Sequence, residues 1–379
     1  MKKIYLDYAA TTPCDPDVIK AMEPYFFEKF GNASSPHSFG REAQKALEEA
    51  RETLAKFIGA QSDEIVFNSG ATEANNHAVL GATRALKEKG NHIIVSAIEH
   101  HSVLEPAHFL QRNGYQVTYL PVDPSGVVNP QDLHNAMTDK TILVAVMHAS
   151  NEIGTIQPMG EISRLVKDRG IYLLVDAVQT VGHIPVNVNE LGADLLSLSA
   201  HKFCGPKGVG ALYIRKGTKI SPYLMGGDQE RNRRASTQHV AGAVGLARAI
   251  DLCRKNMDEE MKMQKRLRDR LMKEIPQRIN GVKVNGHLTR RLPNNAHFSF
   301  DGVEGESLLM SLDMAGIAAS MGSACTSGAM EPSHVLRAIG LSDKLSFGSL
   351  RVTIGRWTTS QDIDYFLEQL PKSVASLRL

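Results

Sequence analysis

The sequence predicts an α/β protein with a large domain built on a mixed, mainly parallel sheet and a smaller α/β domain in the C-terminal part of the chain. Three observations support this fold class. The chain has 379 residues, enough to bury a large core and to divide into two domains. Uninterrupted apolar runs at 142–147 and 171–175 are typical of strands buried on both faces. After Pro293 the chain begins a new alternation of helical and strand patterns.

The expected division places residues 16–255 in the large domain, and residues 1–15 with 256–379 in the small one. Lys and Arg number 43 against 41 Asp and Glu, so the formal net charge is only +2. This balance gives no electrostatic case for nucleic acid or an anionic membrane, whereas a small anionic substrate remains possible. No apolar stretch approaches the length of a membrane span, and Asp7 interrupts the apolar run that a signal peptide would need. We therefore expect a cytoplasmic protein.

A strand that runs into a helix is the first candidate binding segment. After a helical pattern at 41–57, the strand at 64–67 continues through Ser69 and Gly70 into a helix that carries Thr72. Backbone N–H groups at a helix N-terminus, joined by a threonine hydroxyl, favour a phosphate because the unpaired donors and the helix dipole both attract an anion. Ser69 or Thr72 could instead cap the helix, and capping could coexist with phosphate binding.

Polar side chains recur where the predicted strands end. His100 follows the strand at 92–97, and Asp176 and Gln179 follow the strand at 171–175. Ligands of open α/β sheets bind beyond the carboxyl ends of the strands. A histidine there can lie over an aromatic cofactor ring and pass protons, and a carboxylate can keep a ring nitrogen protonated. Taken singly, His100 could be a solvated loop residue and Asp176 an N-cap.

A hairpin pattern places a lysine at the same kind of position. The apolar strand at 195–198 ends in polar residues, presents Lys202, and turns through the Gly-Pro-Lys-Gly sequence at 205–208 into a second apolar strand. Burial lowers the pKa of a lysine and lets its amine form a Schiff base, while Ser199 and His201 can donate to a phosphate. A Schiff-base lysine beside a phosphate site indicates pyridoxal phosphate. The alternative, a surface hairpin with a solvated lysine, is less favoured because polar residues recur near the ends of the other predicted strands.

Two further segments carry arginines that could bind anions. Residues 226–237 combine glycines, three arginines and Thr237, and could complete a phosphate cup or form a plain basic loop. A predicted strand at 350–357 carries Arg351 and Arg356, either of which could clamp a substrate carboxylate or serve in a surface ion pair. Two helical patterns lie between these segments, at 241–250 and 255–274, and the second is typical of a solvated helix that bridges two domains.

The last third of the chain contains a run of small residues at 321–330, with Cys325 near its centre. Glycines at both ends favour flexibility, and ten extended residues span roughly 30 Å, so we expect a mobile loop that carries the thiol. A lone thiol is more often inert than catalytic. The other cysteines, at 14, 204 and 253, show neither the spacing of a zinc site nor the density of a disulfide scaffold.

Together these residues resemble the cysteine desulfurases, which are pyridoxal-phosphate enzymes of aminotransferase class V with fold type I. The resemblance runs essentially from end to end. The motifs that carry it are Tyr5-Leu6-Asp7-x-Ala9-Ala10-Thr11-Thr12, Asn68-Ser69-Gly70-Ala71-Thr72-Glu73-Ala74-Asn75-Asn76, Asn151-Glu152-x-Gly154-Thr155, Asp176-Ala177-Val178-Gln179 and Ser199-Ala200-His201-Lys202-Phe203-x-Gly205-Pro206-Lys207-Gly208. The segment Gly322-Ser323-Ala324-Cys325-Thr326-Ser327-Gly328 resembles the group with a long cysteine loop, which is linked to iron–sulfur and nitrogenase cofactor assembly.

The resemblance implies a role for each motif residue. Three would be catalytic: Lys202 as the Schiff-base lysine, His100 as the ring-stacking proton carrier, and Cys325 as the nucleophile. The cofactor ring would be held by Asp176 at its nitrogen, by Gln179 at its hydroxyl and by Asn151. The cofactor phosphate would be held by Ala71, Thr72, Ser199 and His201, joined by Thr237 from a second subunit, so a homodimer is implied. The substrate carboxylate would be received by Asn151 and Arg351.

The implied reaction converts L-cysteine into L-alanine and leaves the sulfur on Cys325 as a persulfide, which passes to an acceptor such as an iron–sulfur scaffold protein. Cys325 could ligate an iron–sulfur cluster transiently during that transfer, and no other metal site is expected. Selenocysteine lyase and class V aminotransferase activities are alternatives on the same cofactor, and a sulfur-relay subunit without catalysis is an alternative of another class. The chain departs from the family pattern at Ser150, Cys204 and Ser236, which affects local loop geometry.

Overall fold

The computed structural model describes residues 3–322 and 332–378, and its main element is a seven-stranded sheet. The strands are β1 (Ile4–Tyr5), β2 (Ile65–Asn68), β3 (His92–Ser96), β4 (Gln116–Leu120), β5 (Thr141–Ala145), β6 (Tyr172–Asp176), β7 (Leu195–Ser199), β8 (Gly210–Ile214), β9 (Val282–Asn285), β10 (Asn295–Phe300), β11 (Ile317–Ala318) and β12 (Ser349–Thr353). The large sheet has the order β2-β8-β7-β6-β5-β3-β4. Within it, β8 is antiparallel to both of its neighbours and the remaining pairs are parallel, so the predicted mixed, mainly parallel sheet is confirmed.

The helices mostly begin and end at residues whose chemistry accounts for the boundary. They are α1 (Pro16–Met22), α2 (Pro24–Phe27), α3 (Ser38–Ile58), α4 (Ala71–Ala85), α5 (His101–Arg112), α6 (Pro130–Ala136), α7 (Met159–Asp168), α8 (Gln229–Asn232), α9 (Val240–Arg278), α10 (Gly305–Met314), α11 (His334–Ala338), α12 (Asp343–Phe347) and α13 (Ser360–Leu377). Gly59 ends α3 in the left-handed conformation with φ 74°, which suits a residue without a Cβ atom. Ser333 caps α11, since its hydroxyl accepts the backbone N–H groups of Val335 and Leu336.

Helices cover both faces of the large sheet. On one face, α3 presents apolar residues at helical spacing, among them Ala43, Leu47 and Leu54, and these join a core that also includes residues of α7 and α9. On the other face, Ala78 of α4 and Val103 of α5 pack against the sheet. Every residue of β3, β5 and β7 is therefore buried, as the uninterrupted apolar runs predict.

A second core surrounds a smaller antiparallel sheet of order β12-β10-β9. Phe298 and Phe300 of β10 pack there with residues of α10 and α13. The N-terminal arm joins this part of the molecule, because β1 pairs with β11 in parallel and Asp7 forms a further bridge to Thr353. The confirmed fold class thus includes the smaller α/β unit, with the first residues of the chain attached to its last third.

One long helix connects the two cores. The helices expected at 241–250 and 255–274 are a single helix, α9, of 39 residues, so their separation was wrong. The polar residues between the two patterns interrupt the apolar stripe, but the helical backbone continues through them. The first half of α9 joins the core of the large sheet, and Leu267 and Leu271 in its second half join the second core. The expected domain boundary at residue 255 falls inside α9 and stays a prediction. In the described ranges, no helix is both long and apolar enough to cross a membrane.

Candidate active site

A cavity of about 530 Å³ lies beyond the carboxyl ends of the parallel strands, where the predicted polar residues collect. Ten of the predicted site residues line its wall: Ala71, Thr72, His100, Asn151, Asp176, Gln179, Ser199, His201, Lys202 and Arg351. Thr237 is exposed and is not among the lining residues of this cavity. Cys325 lies outside the described residues. Side chains from both ends of the sequence therefore meet at one site.

Lys202 enters the cavity at the end of β7. Ser199 is the last residue of that strand, and a short 3-10 turn, Ala200–Lys202, follows it. Lys202 Nζ donates hydrogen bonds to the carbonyl oxygens of Ala9 at 2.6 Å and Ala10 at 2.8 Å, both in the N-terminal arm. The amine is thus held inside the cavity by the arm, which excludes the alternative of a hairpin lysine solvated on the surface.

A buried hydrogen-bond network connects Asp176 with His100. Asn75 of α4 is fully buried, and its Nδ2 donates to Asp176 Oδ2 at 2.8 Å and to Ser102 Oγ at 2.9 Å. Ser102 Oγ in turn lies 2.8 Å from His100 Nδ1. The other carboxylate oxygen of Asp176 accepts the backbone N–H of Val178 at 3.0 Å. Both oxygens are engaged, so the carboxylate has a fixed orientation at the cavity wall.

The hydrogen bonds of His100 define where its ring carries a proton. The backbone N–H of Ser102 donates to His100 Nδ1 at 3.1 Å, so the neutral ring carries its proton on Nε2. Burial lowers the pKa of His100, the Asp176 carboxylate opposes this shift, and Lys202 adds to it. A neutral imidazole that donates from Nε2 is therefore the form expected near neutral pH.

The N-terminal end of α4 forms a site for an anion. Its N-cap residue is Gly70, whose φ of 145° suits a residue without a Cβ atom and which has no side chain to cap the helix. The first backbone N–H groups of α4 are therefore left for another acceptor, and Ser199 Oγ lies close to Gly70. Glu73 also lies here, but Arg234 pairs with it at 2.7 Å and balances its charge.

Arg351 is a buried cation in the cavity wall. It lies on β12, and its side chain is only 2% exposed. Its Nη2 donates to Asp7 Oδ1 at 2.8 Å, and its Nη1 donates to the carbonyl oxygens of Asn151 at 3.1 Å and Gly322 at 2.9 Å. The guanidinium is therefore oriented by one carboxylate and two backbone groups.

The second candidate arginine is placed elsewhere. The strand expected at 350–357 ends at Thr353, so Arg356 lies beyond it. Its guanidinium pairs with Asp15 at 2.7 Å and with Glu260 at 2.6 Å. Arg356 is not among the residues that line the cavity, so the structure separates two arginines that the sequence left as alternatives.

Two buried acids lie close to the charged residues of the site. Glu99 is 1% exposed and accepts the backbone N–H of Met147 at 2.6 Å; burial and then the Asp176 carboxylate raise the pKa of Glu99 well above its usual range. Glu152 is also buried and accepts the hydroxyl of Ser333 at 2.6 Å, and burial raises its pKa as well. Both shifts favour neutral carboxyl groups.

Four residues of the site region have no role indicated by the sequence: Asn75, Glu99, Glu152 and Asp7. Asn75 could have been found from the helical spacing, because it shares one face of α4 with Ala78 and Val79, and that face is buried. A polar residue on a buried face needs hydrogen-bond partners. The other three become site residues through contacts between distant segments, which no local pattern reveals.

Comparison with known proteins identifies the family of the chain. Residues 4–366 match the aminotransferase class-V family model, so the chain belongs to that family. Two curated relatives are each named cysteine desulfurase IscS. The protein of Dictyoglomus turgidum is 56% identical over 377 residues, 100% of this chain and 96% of that protein. The protein of Methanosarcina thermophila is 50% identical over 377 residues, 100% of this chain and 93% of that protein.

Solved structures show the same fold. A NifS-like protein superposes with a TM-score of 0.93 at 37% identity, covering 99% of this chain and 100% of the other. The apo cysteine desulfurase from Thermococcus onnurineus superposes with a TM-score of 0.87 at 27% identity, covering 99% and 95%. The predicted family and fold type I are thereby confirmed.

The cofactor of this family is pyridoxal phosphate, as the sequence predicts. The cavity residues fit it by their chemistry. A lysine amine lies inside the cavity, an oriented carboxylate is available for a ring nitrogen, and the start of α4 leaves its N–H groups for a phosphate. The individual roles of these residues stay predictions.

Proposed function

We propose that this protein is a cysteine desulfurase, which converts L-cysteine into L-alanine and retains the sulfur on Cys325 as a persulfide. The observation that carries the proposal is the convergence of Lys202, Asp176 and Arg351 on one cavity. An amine, an oriented carboxylate and a buried guanidinium can together hold the cofactor and an amino acid. The names of the close relatives support the same activity.

The cofactor, when bound, supplies an electron sink for the carbon atoms of the amino acid. Lys202 would hold it covalently through its amine, Asp176 would pair with the ring nitrogen, and Gln179 would face the ring hydroxyl. The phosphate would lie at the start of α4, in contact with Ala71, Thr72, Ser199 and His201. The fixed Asp176 carboxylate serves this purpose because it needs no reorientation when the ring enters.

The substrate would be oriented by its carboxylate. Arg351 is held by hydrogen bonds to Asp7 and two backbone carbonyls, so little side-chain entropy is lost when it binds a ligand. Asn151 lies beside it in the cavity wall and would contact both substrate and cofactor. His100 would donate or accept a proton at Nε2 over the bound ring.

Cys325 lies outside the described residues, and its role rests on its sequence motif. Its thiolate would bond to the sulfur of L-cysteine while the carbon–sulfur bond of the substrate breaks. The electron pair of that bond stays with the carbon, which takes up a proton to become the methyl group of L-alanine. The two sulfur atoms remain on the protein as a persulfide, and transfer to an acceptor regenerates Cys325. An iron–sulfur scaffold protein is the proposed acceptor, with transient cluster ligation by Cys325 during transfer.

A second copy of the chain would complete the phosphate site. Thr237 is exposed and would reach the cavity of the partner subunit. The short segment α8 before it departs from right-handed helical geometry, with positive φ values at Glu230, Arg231 and Asn232, and the buried ion pair of Glu230 with Arg51 at 2.6 Å holds this conformation. We expect a homodimer in sedimentation experiments, and a fully active monomer would contradict it. The proposed compartment is the cytoplasm, where free thiols persist.

The experiment supplies L-cysteine and a reductant and measures alanine and sulfide. We expect equal amounts of both from the natural protein and none from Lys202→Ala, because the amine that binds the cofactor is lost. Lys216→Ala is the matched control, since Lys216 is an exposed lysine just after β8. Alanine formed only in the presence of a keto acid would indicate an aminotransferase, turnover of selenocysteine alone would indicate a lyase, and no turnover at all would indicate a relay subunit.

A further inference from the structure

The pairing of the N-terminal arm with β12 places an acidic residue beside Arg351. Asp7 bridges Thr353, whose backbone N–H donates to the carbonyl oxygen of Leu6 at 2.8 Å. Arg351 precedes Thr353 by two positions on the same strand, so both side chains lie on one face of it. The Tyr5 hydroxyl also donates to the carbonyl oxygen of Asp7 at 3.0 Å. These contacts fix the backbone of Asp7 beside β12, within reach of Arg351.

The ion pair leaves part of the guanidinium without a partner. Arg351 Nη2 donates to Asp7 Oδ1 at 2.8 Å, with the two side chains 2% and 17% exposed. Nε of Arg351 is buried and has no hydrogen-bond partner in the part of the chain that the structure describes. Nε and Nη2 share the edge through which a guanidinium binds a carboxylate with two hydrogen bonds. The Asp7 carboxylate therefore offsets the positive charge of the guanidinium, although it contacts Nη2 and leaves Nε without a hydrogen bond.

Arg351 lines the cavity, and Asp7 is not among the lining residues. A ligand in the cavity therefore contacts the guanidinium directly and senses the Asp7 carboxylate through it. Glu152 also acts electrostatically on Arg351, but burial raises the pKa of Glu152 and favours its neutral form. Asp7, whose carboxylate contacts the guanidinium at 2.8 Å, is the principal counter-charge of Arg351 among the described acids.

We propose that Asp7 is a positioning residue that lowers the affinity of the cavity for α-carboxylates by offsetting the charge of Arg351. This inference rests on the proposed function, in which Arg351 receives the carboxylate of L-cysteine and L-alanine must then leave the same site. A guanidinium with its counter-ion attracts a ligand carboxylate less strongly than an uncompensated guanidinium. Asp7 thus keeps Arg351 oriented for the substrate while allowing the product to dissociate.

The test is a calorimetric titration of the cofactor-loaded enzyme with L-alanine. Asp7→Asn keeps an oxygen that can accept from Nη2 and removes the charge. We expect the variant to bind L-alanine at least about tenfold more tightly, because the two carboxylates would contact the same guanidinium, and any unit charge closer than about 12 Å changes an equilibrium by more than about that factor at an effective dielectric of about 20. L-Alaninamide has nearly the same size and no carboxylate, so both proteins should bind it equally.

Asp15→Asn is the matched control. Asp15 also lies in the N-terminal arm and pairs with Arg356 at 2.7 Å, and its side chain is 15% exposed. This variant loses the same charge from an ion pair that does not line the cavity, so its affinity for L-alanine should not change. In steady-state turnover of L-cysteine, Asp7→Asn should lower KM and not raise kcat, a split that general destabilisation would not produce.

Unchanged or weaker binding of L-alanine by Asp7→Asn, or an equal gain for L-alaninamide, would overturn the proposal. An active natural enzyme with such a result overturns the role of Asp7 alone, whereas a natural enzyme that forms no alanine or sulfide overturns the proposed function with it. If the variant is poorly stable, thermal unfolding provides the second measurement. L-Alanine must then raise the unfolding temperature of the variant more than that of the natural protein, and an equal or smaller increase also overturns the proposal.

Discussion

Replacing Asn75 by alanine would break the link between Asp176 and His100. Asn75 Nδ2 donates to Asp176 Oδ2 at 2.8 Å and to Ser102 Oγ at 2.9 Å. A hydrogen bond to a charged group contributes about 1.5–3 kcal/mol, and one between neutral groups about 1 kcal/mol. Asn75 Oδ1 is buried without a partner among the described residues, so its removal offsets part of the loss. We expect the free energy of unfolding to fall by about 2 kcal/mol.

Urea unfolding of the cofactor-free protein measures this change from the transition midpoints at a common m value. A double-mutant cycle with Asp176→Asn isolates the interaction of Asn75 with the carboxylate, and we expect a coupling energy of about 1 kcal/mol or more. In the cofactor-loaded enzyme, Asn75→Ala should also slow turnover, because Asp176 and Ser102 lose their common support. A destabilisation below about 0.5 kcal/mol together with a coupling energy near zero would refute the structural role of this network.

Two further predictions concern buried charges and protons. Burial lowers the pKa of His148 to about 4, against about 6.5 in the unfolded chain. Between these two pH values the unfolded chain binds a proton at this histidine and the folded protein does not. His148 therefore lowers the free energy of unfolding by about 2 kcal/mol as the pH falls from about 7.5 to 5. His148→Gln should remove this part of the pH dependence, measured by urea unfolding at both pH values. An unchanged pH dependence would contradict the prediction. Glu230→Gln should cost about 3–5 kcal/mol, because Arg51 would keep a buried charge without its buried carboxylate partner. Glu48→Gln, which removes the more exposed partner of Arg51, should cost less than about 1 kcal/mol in the same assay, and equal losses would count against the buried pair.

Local patterns were sufficient to find the residues that follow strand ends. Lys202, Asp176 and His100 each come within four residues of the end of a predicted apolar strand, and parallel strands bring their carboxyl ends to one edge of a sheet. The sheet has the expected mixed, mainly parallel form, and these three residues line one cavity. Their positions could be predicted because each depends on one strand and on a rule for how such strands assemble.

Features that depend on contacts between distant segments could not be predicted in this way. Asp7 and Arg351 are 344 positions apart and meet only through the pairing of the arm with β12. The continuity of α9 was missed because its polar middle section lacks an apolar stripe while its two ends pack on different cores. The local pattern left Arg351 and Arg356 as alternatives, and the resemblance alone favoured Arg351, because the alternation of residues did not reveal that β12 ends before Arg356.

Product release from Cys325→Ala shows whether sulfur leaves L-cysteine through a persulfide on Cys325. Alanine and sulfide are measured from L-cysteine in the presence of a reductant, with Cys14→Ala as a control that removes a different thiol. Persulfide formation on Cys325 predicts equal amounts of both products from the natural protein and from Cys14→Ala, and almost none from Cys325→Ala. Equal release by all three proteins would contradict it and would favour a lyase in which Cys325 takes no part.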